Sequence, residues 1–455
     1  MKTARCCKTT AWPAVVLAGI FLAATLAGCG GSAVTDGGTT SVTVTIGGGG
    51  ASASPATEPA RATPRPLGAA IPSTVTAIRF TVSGEGFTSI VQTVPVTGTT
   101  MTVTLQVPSG PGRTILVEAL DSDGISHFRG VAVIDAAGIA LSITINMAVD
   151  PSNPALRTWN VVANTVATSA SLNHVAQGDG IVLAGGTSGE ILSSTDGVSW
   201  ISRTSRNISG DISALAFGDN TFLAMTSFGN FTALPVTWTN NFFGAPSDNV
   251  ADWTFRGSIG TIGVPLEDIA SGGGTFVAVG DNNIFYSLDN GATWSPGTFS
   301  GVGGLSHVSY GNNRFVALSR TGDAALISTD GIAWTNSSIG IPASEFPDLL
   351  CFGNGLFLAT TSSGNVFTSA DGATWLQRTQ YIDLSTADIS VNAAAAGGGG
   401  FMIITSSGIF FTFDAGATWT AIDPGISVFD GTFWNGAFVT VGSSGPGSVF
   451  RSGDL

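Results

Sequence analysis

Two histidines and two aspartates occupy matching places in four short segments of this 455-residue chain. The segments read Leu172-Asn173-His174-Val175, Leu266-Glu267-Asp268-Ile269, Leu305-Ser306-His307-Val308 and Phe346-Pro347-Asp348-Leu349. Imidazole and carboxylate groups gathered around one opening would ligate a metal ion or hold a polar ligand. The plainer reading of His174, Asp268, His307 and Asp348 is a polar side chain that starts an inner strand, caps its turn and faces water. Whether a metal binds stays open, no cofactor is expected, and no residue is assigned a catalytic role.

Other chemistries find less support. The serine hydrolase elbow is missing from the sequence. The run Gly397 to Gly400 has no strand-turn-helix context and reads as a loop, not a phosphate cradle. Cys351 stands in Leu349-Leu350-Cys351-Phe352 and reads as a small core residue. His127, beside Phe128 in a strand pattern, reads as structural.

The elements that must position the four segments come from a repeat of about 40 residues, the period of a propeller in which each unit is one small sheet. Each copy carries a hydroxyl residue, an Asp, a Gly and then a Trp. The pairs are Asp196 and Trp200, Asp289 and Trp294, Asp330 and Trp334, Asp371 and Trp375, and Asp414 and Trp419. Asp and hydroxyl bond to turn amides, Gly supplies a positive φ, and Trp covers the turn. A second phrase, with an apolar run after a turn, begins near Gly180, Thr221, Thr275, Arg314, Leu356, Gly400 and Ala437. Seven copies predict seven blades. Six is the alternative, because the second copy lacks a clear Asp phrase and looks irregular from Asn240 to Asp252. The last copy stops where its Trp-led fourth strand is due, and Arg157-Thr158-Trp159-Asn160-Val161-Val162 supplies one from the other end. Closure by residues 156–163 removes a free sheet edge.

The repeated phrase resembles the Asp-box, or bacterial neuraminidase repeat, of sialidases and of the photosystem II stability and assembly factor family. The resemblance spans roughly residues 156–455. It implies a propeller with the boxes on its outer edge, away from any active centre. Sialidase chemistry would need clustered arginines, a Tyr–Glu pair and an acidic acid/base. The Phe/Tyr-Arg-Ile-Pro motif that supplies one such arginine is missing near the start of the repeats. Arg203, Arg206, Arg256 and Arg378 follow Trp residues, Arg314 is in a turn, Arg320 follows a second strand, Arg451 is on a third strand and Arg157 is on the closing strand. None falls in an inner-strand segment.

The remaining sequence sets the address. Lys2, Arg5 and Lys8 precede an apolar stretch from Ala14 to Leu26, too short for a comfortable membrane span. Leu26-Ala27-Gly28-Cys29 resembles a lipobox, which implies a signal peptide over 1–28 and lipidation of Cys29 in a bacterial envelope. Gly30 after the Cys favours the outer membrane or cell surface. Residues 29–72, rich in Gly, Ser, Thr and Pro, read as a tether, except that Ser41 to Ile46 alternates and could add a strand to the next domain. Over 73–152 a period near two and frequent turn signals predict an immunoglobulin-like β-sandwich. The fold class is therefore all-β: a sandwich followed by a seven-bladed propeller over 156–455.

A net charge of −14 with 10% charged residues argues against nucleic acid as a partner. The expected protein is a surface-tethered, non-enzymatic scaffold that binds a protein or glycan, a monomer held to the membrane by lipid. The alternative is an extracellular glycan-active hydrolase or lyase of sialidase-like type.

Overall fold

The computed structural model describes residues 39–46, 71, 75–98, 100–144, 148–150, 153–162, 170–203, 207–230, 237–301, 303–320, 322–342, 345–378, 380–381, 390–423, 425, 427–443 and 448–453. Cys29, the predicted signal peptide and most of the predicted tether lie outside these residues.

The N-terminal part is two sheets. Its strands are β1 (Thr39–Ile46), β2 (Ala77–Ser83), β3 (Ile90–Pro95), β4 (Met101–Pro108), β5 (Gly110–Leu120), β6 (Ser126–Ala136), β7 (Leu141–Thr144) and β8 (Ala148–Val149). One sheet has the order β4-β1-β7 and the other β3-β2-β5-β6-β8. The strand β1, from within the predicted tether, lies between β4 and β7, antiparallel to the first and parallel to the second. Its alternation explains this: Val42, Val44 and Ile46 face inward, where they share a core with Phe80, Val117 and Phe128 of the other sheet.

A short connection follows. Asn153, fully buried, bonds the amide of Ala155 and the carbonyl of His127. Arg157 ends a 3-10 turn, Pro154–Arg157, instead of lying on a strand. Then β9 (Trp159–Val161) pairs antiparallel with Ser448–Ser452 near the far end of the chain.

From residue 172 onward the chain forms seven four-stranded antiparallel sheets among the described residues, the seventh including β9. Their inner strands are Leu172–Gly178, Ile212–Gly218, Asp268–Gly272, Leu305–Gly311, Pro347–Gly353, Val391–Gly397 and Ser427–Trp434. Each inner strand packs beside the next, and the seventh packs beside the first, so the sheets stand around a closed ring. The region from Asn240 that looked irregular is strand as far as Pro246.

The second strand of each sheet is the buried layer. Its aromatic residues Phe222, Phe276, Phe315, Phe357, Phe401 and Phe438 are all at most 1% exposed. Full burial contributes roughly 1.5–3 kcal/mol for each such ring. Apolar clusters span neighbouring sheets, and the seam is no exception: Leu172, Val182 and Trp200 of the first sheet pack with Val439, Val441 and Val449 of the seventh.

The Asp-containing turns join the third and fourth strands. In the first, Asp196 Oδ1 accepts the amides of Val198 and Ser199, Ser194 Oγ accepts that of Gly197, and Trp200 Nε1 donates to the Gly197 carbonyl. The Ser199 and Val198 amides hold the Asp196 carboxyl well below the usual carboxylate range. The same bonding recurs at Asp330 and Asp371. At Asp289 and Asp414 a second hydroxyl, from Thr293 and Thr418, also donates to the carboxylate, as that of Thr374 does at Asp371.

Candidate functional site at the channel mouth

Where the seven inner strands begin, they enclose a cavity of about 540 Å³ lined by residues from every sheet of the ring. A local irregularity of the backbone shapes it. Six of the seven inner strands carry a bulge near their start, among them those between Leu172 and His174 and between Leu305 and His307. A bulge re-aims the side chains beside it.

The register then sets which residues are equivalent. Opposite the fifth residue of each second strand stand His174, Ala214, Asp268, His307, Leu349, Ala393 and Asp430. Three of the four residues singled out in the sequence therefore share one ring and line the cavity. Asp348 does not. It is the bulge residue of its strand, one place before Leu349, and is not among the cavity's lining residues. Leu349 holds the place expected for it, and the fourth polar member of the ring comes from the seventh sheet: Asp430, in Val428-Phe429-Asp430-Gly431. That segment repeats the pattern of an apolar residue, any residue and then Asp, which was the available signal.

The four polar members form two like couples. Asp268 Oδ2 accepts the amide of Val308, which follows His307, and Asp430 Oδ2 accepts the amide of Val175, which follows His174. Each second oxygen accepts the next amide of its own strand, from Ile269 and Gly431. Each aspartate thus staples its sheet to the next one, and the Asp430 staple crosses the seam. His307 Nδ1 is 3.9 Å from Asp268 Oδ2.

Burial raises both carboxyls to about 7 against the pull of those amides, and Asp268 adds to the effect on Asp430. Burial also lowers His174 and His307 to about 4, with the Arg320 charge contributing at His307. The side chains of His307 and Asp268 keep 24% and 30% of their surface open, so channel water reaches both. Asp348 is raised by burial, opposed by Arg320. Among the described residues, no three of His, Cys, Asp or Glu are placed to hold one metal ion.

Arg320 is the arginine that sequence position concealed. It lies just beyond a second strand, and its Nη1 is 2.7 Å from Glu267 Oε2 at the rim of the mouth. Arg203, Arg314, Arg378 and Arg451 bond elsewhere, to Ser193, Asp371, Thr368 and Asn435. Cys351 is raised to about 12 by burial, the opposite of an activated thiol. In the sandwich, His127 pairs with Asp121 at 2.9 Å.

Among the described residues, one sheet departs from the sevenfold pattern at this face. In the second sheet the outer strands are Thr221–Asn230, Thr237–Pro246 and Thr254–Ile262, ten, ten and nine residues long. The inner strand ends its pairing at Thr226, so the pairs Phe228 with Thr239 and Asn230 with Thr237 extend past it on the mouth side. Ser213 at the cavity wall bonds Ser227, and Ser227 bonds Asn240, which also holds the Leu266 amide. A fixed hydrogen-bonded path therefore connects this flap to the mouth.

No protein-family model and no curated protein matches the chain. Solved structures do. A catalytically inactive virginiamycin B lyase from Staphylococcus aureus, solved with quinupristin, is 12% identical with a TM-score of 0.52, over 66% of this chain and 99% of that one. A streptogramin B lyase is 10% identical with a TM-score of 0.51, over 66% and 98%. YCF48 bound to a D1 peptide is 14% identical with a TM-score of 0.48, over 65% and 95%. At such identities the likeness is one of fold alone: the ring of sheets is a β-propeller.

Proposed function

We propose that this protein is a lipid-anchored scaffold of a bacterial envelope whose seven-bladed Asp-box propeller binds a protein partner at the channel mouth. In this reading Cys29 carries the lipid, an immunoglobulin-like sandwich acts as the spacer, and residues 156–163 complete the last blade. The observation that carries the reading is the mouth itself. It is a cavity of about 540 Å³ to which all seven sheets contribute, with a flap beside it that, among the described residues, only the second sheet possesses. Concave sites with a few convergent polar groups are where propellers and other closed β-folds take ligands. The Asp-containing turns lie at the opposite ends of the strands, so they leave the mouth free.

A photo-crosslinking residue placed at Ser213, in the cavity wall, should capture a partner in intact cells. The same residue at Ser199, in an Asp-containing turn, should not. Equal capture from both positions, or none from Ser213, would overturn the site. A fluorogenic glycosidase panel tests the hydrolase alternative, and turnover of any member would replace the scaffold reading. For the anchor, Cys29→Ser should leave the membrane fraction; continued partition with membranes would sink that part.

A further inference from the structure

The walls of the mouth are divided in a way that specifies what enters it. Three carboxyls line it, Glu267 and Asp268 from the third sheet and Asp430 from the seventh, and the fifth and sixth sheets between them present Leu349, Leu350 and Val391. Each aspartate uses one lone pair on each oxygen for a backbone amide. A carboxylate has about four such sites, so each retains capacity for a ligand's donors. The positive charge at the rim, Arg320, is 48% exposed and already engaged with Glu267. None of the cavity's lining residues is lysine or arginine, so positive charge is what it lacks, beside an apolar wall. Lysine and arginine side chains have that double character, a hydrocarbon stem with a cationic tip. The chain's net charge of −14 draws such groups in.

We propose that the channel mouth receives a lysine or arginine side chain of the partner protein, its stem against Leu349 and Leu350 and its cationic tip between Asp268 and Asp430. This rests on the scaffold reading above and adds the partner's chemistry to it. Burial raises both carboxyls, with Asp268 adding to the rise at Asp430; a cation between them favours the ionised forms, so binding releases protons.

The chain has three histidines, His127 in the sandwich and His174 and His307 in the mouth, which gives a direct readout. In protein carrying 13C-labelled histidine, acetyl-Gly-Lys-Gly-amide and its Arg counterpart should shift the His174 and His307 ring signals and leave His127 in place. The Gln and Glu counterparts at equal ionic strength should bind at least about tenfold more weakly, as expected on losing charge-assisted hydrogen bonds. Affinity for the Lys peptide should rise between about pH 6 and about pH 8, as the carboxyls ionise. The Asp268→Asn/Asp430→Asn variant should lose the response. If that variant fails to fold, the pH series on the unaltered protein decides. Equal shifts with the Glu or Gln peptide, or an affinity that does not change with pH, overturn the proposal. Spermidine saturating below either cationic peptide overturns the assignment to a protein side chain. Silent mouth histidines with a persisting Ser213 cross-link defeat the cation and leave the scaffold reading intact; loss of that cross-link as well removes both.

Discussion

The aspartate and histidine of each couple move in opposite directions, and their effects on stability should cancel. Unfolded Asp and His titrate near about 3.9 and about 6.5, whereas the folded groups sit at about 7 for Asp268 and Asp430 and at about 4 for His174 and His307. Between about pH 4 and about pH 6.5 the unfolded chain holds its proton on imidazole and the folded chain holds it on carboxyl, so neither state binds more. Removing one member uncovers the slope of the other. With His174→Gln/His307→Gln only the raised carboxyls remain. The folded state then holds more protons, and stability should fall as pH rises from about 4 to about 7. With Asp268→Asn/Asp430→Asn the lowered imidazoles remain, and stability should rise from about pH 4 to about pH 6.5. Urea unfolding at stepped pH measures this, and three parallel profiles would refute the coupling. The residues involved were legible in part. His174, Asp268 and His307 stand out because each follows an apolar residue and a variable one, but Asp348 looks the same until the bulge is known. A bulge shifts register by one residue, which reverses the face of every side chain after it. Nothing local in Phe346-Pro347-Asp348-Leu349 announces it. Arg320 was hidden for a different reason, since only the ring brings a loop of the fourth sheet against Glu267 of the third.

Among the elements, the Asp-containing turn was the most readable, because backbone geometry dictates its residue types. Its glycine does more than turn the chain. Gly331 has φ +78°, and a Cβ there would lie 2.6 Å from Val277 of the preceding sheet; at Gly372 a Cβ would lie 2.4 Å from Val316. The turn of one sheet is therefore seated on the second strand of the sheet before it. The aspartate, by contrast, is partly open to solvent. This orders two substitutions. Asp371→Ala frees the amides of Ala373 and Thr374 to bond water instead, a loss of about 1 kcal/mol. Gly331→Ala adds the left-handed penalty of roughly 1–2 kcal/mol to a clash with Val277, and should cost more. Denaturant midpoints of the two variants test the order. The strand β1 shows the reverse case: its alternation was visible, but only the sheets reveal that it lies between β4 and β7.

For the whole molecule, stability turns on the seam where the first and seventh sheets meet. Every other junction of the ring joins sheets that follow one another in the chain, so it forms with modest loss of chain entropy. The seam joins residues more than 200 positions apart, as in the bond from Val175 to Asp430, and its closure entropy is correspondingly larger. Several contacts hold it. The strand β9 pairs with Ser448–Ser452, and Val162 donates its amide to Val449. Asn435 bonds the Thr195 carbonyl, the Asp430 staple reaches Val175, and Trp200 packs with Val439 and Val449. At Gly197, the turn glycine of the first sheet, an added Cβ would lie 3.3 Å from Trp434 of the seventh. Weakening β9 should therefore loosen the ring as a whole instead of fraying one edge. Val162→Pro removes the donor to Val449, and Trp159→Ala removes a half-buried indole whose nitrogen bonds Leu156; the second should cost about 3 kcal/mol, the low end for a large aromatic truncated to Ala. Both should lower the temperature of one cooperative transition, and hydrogen exchange should speed up in the first and seventh sheets together. Faster exchange confined to Ser448–Ser452, with the melting temperature unchanged, would mean that β9 only covers an edge and that the other seam contacts close the ring alone.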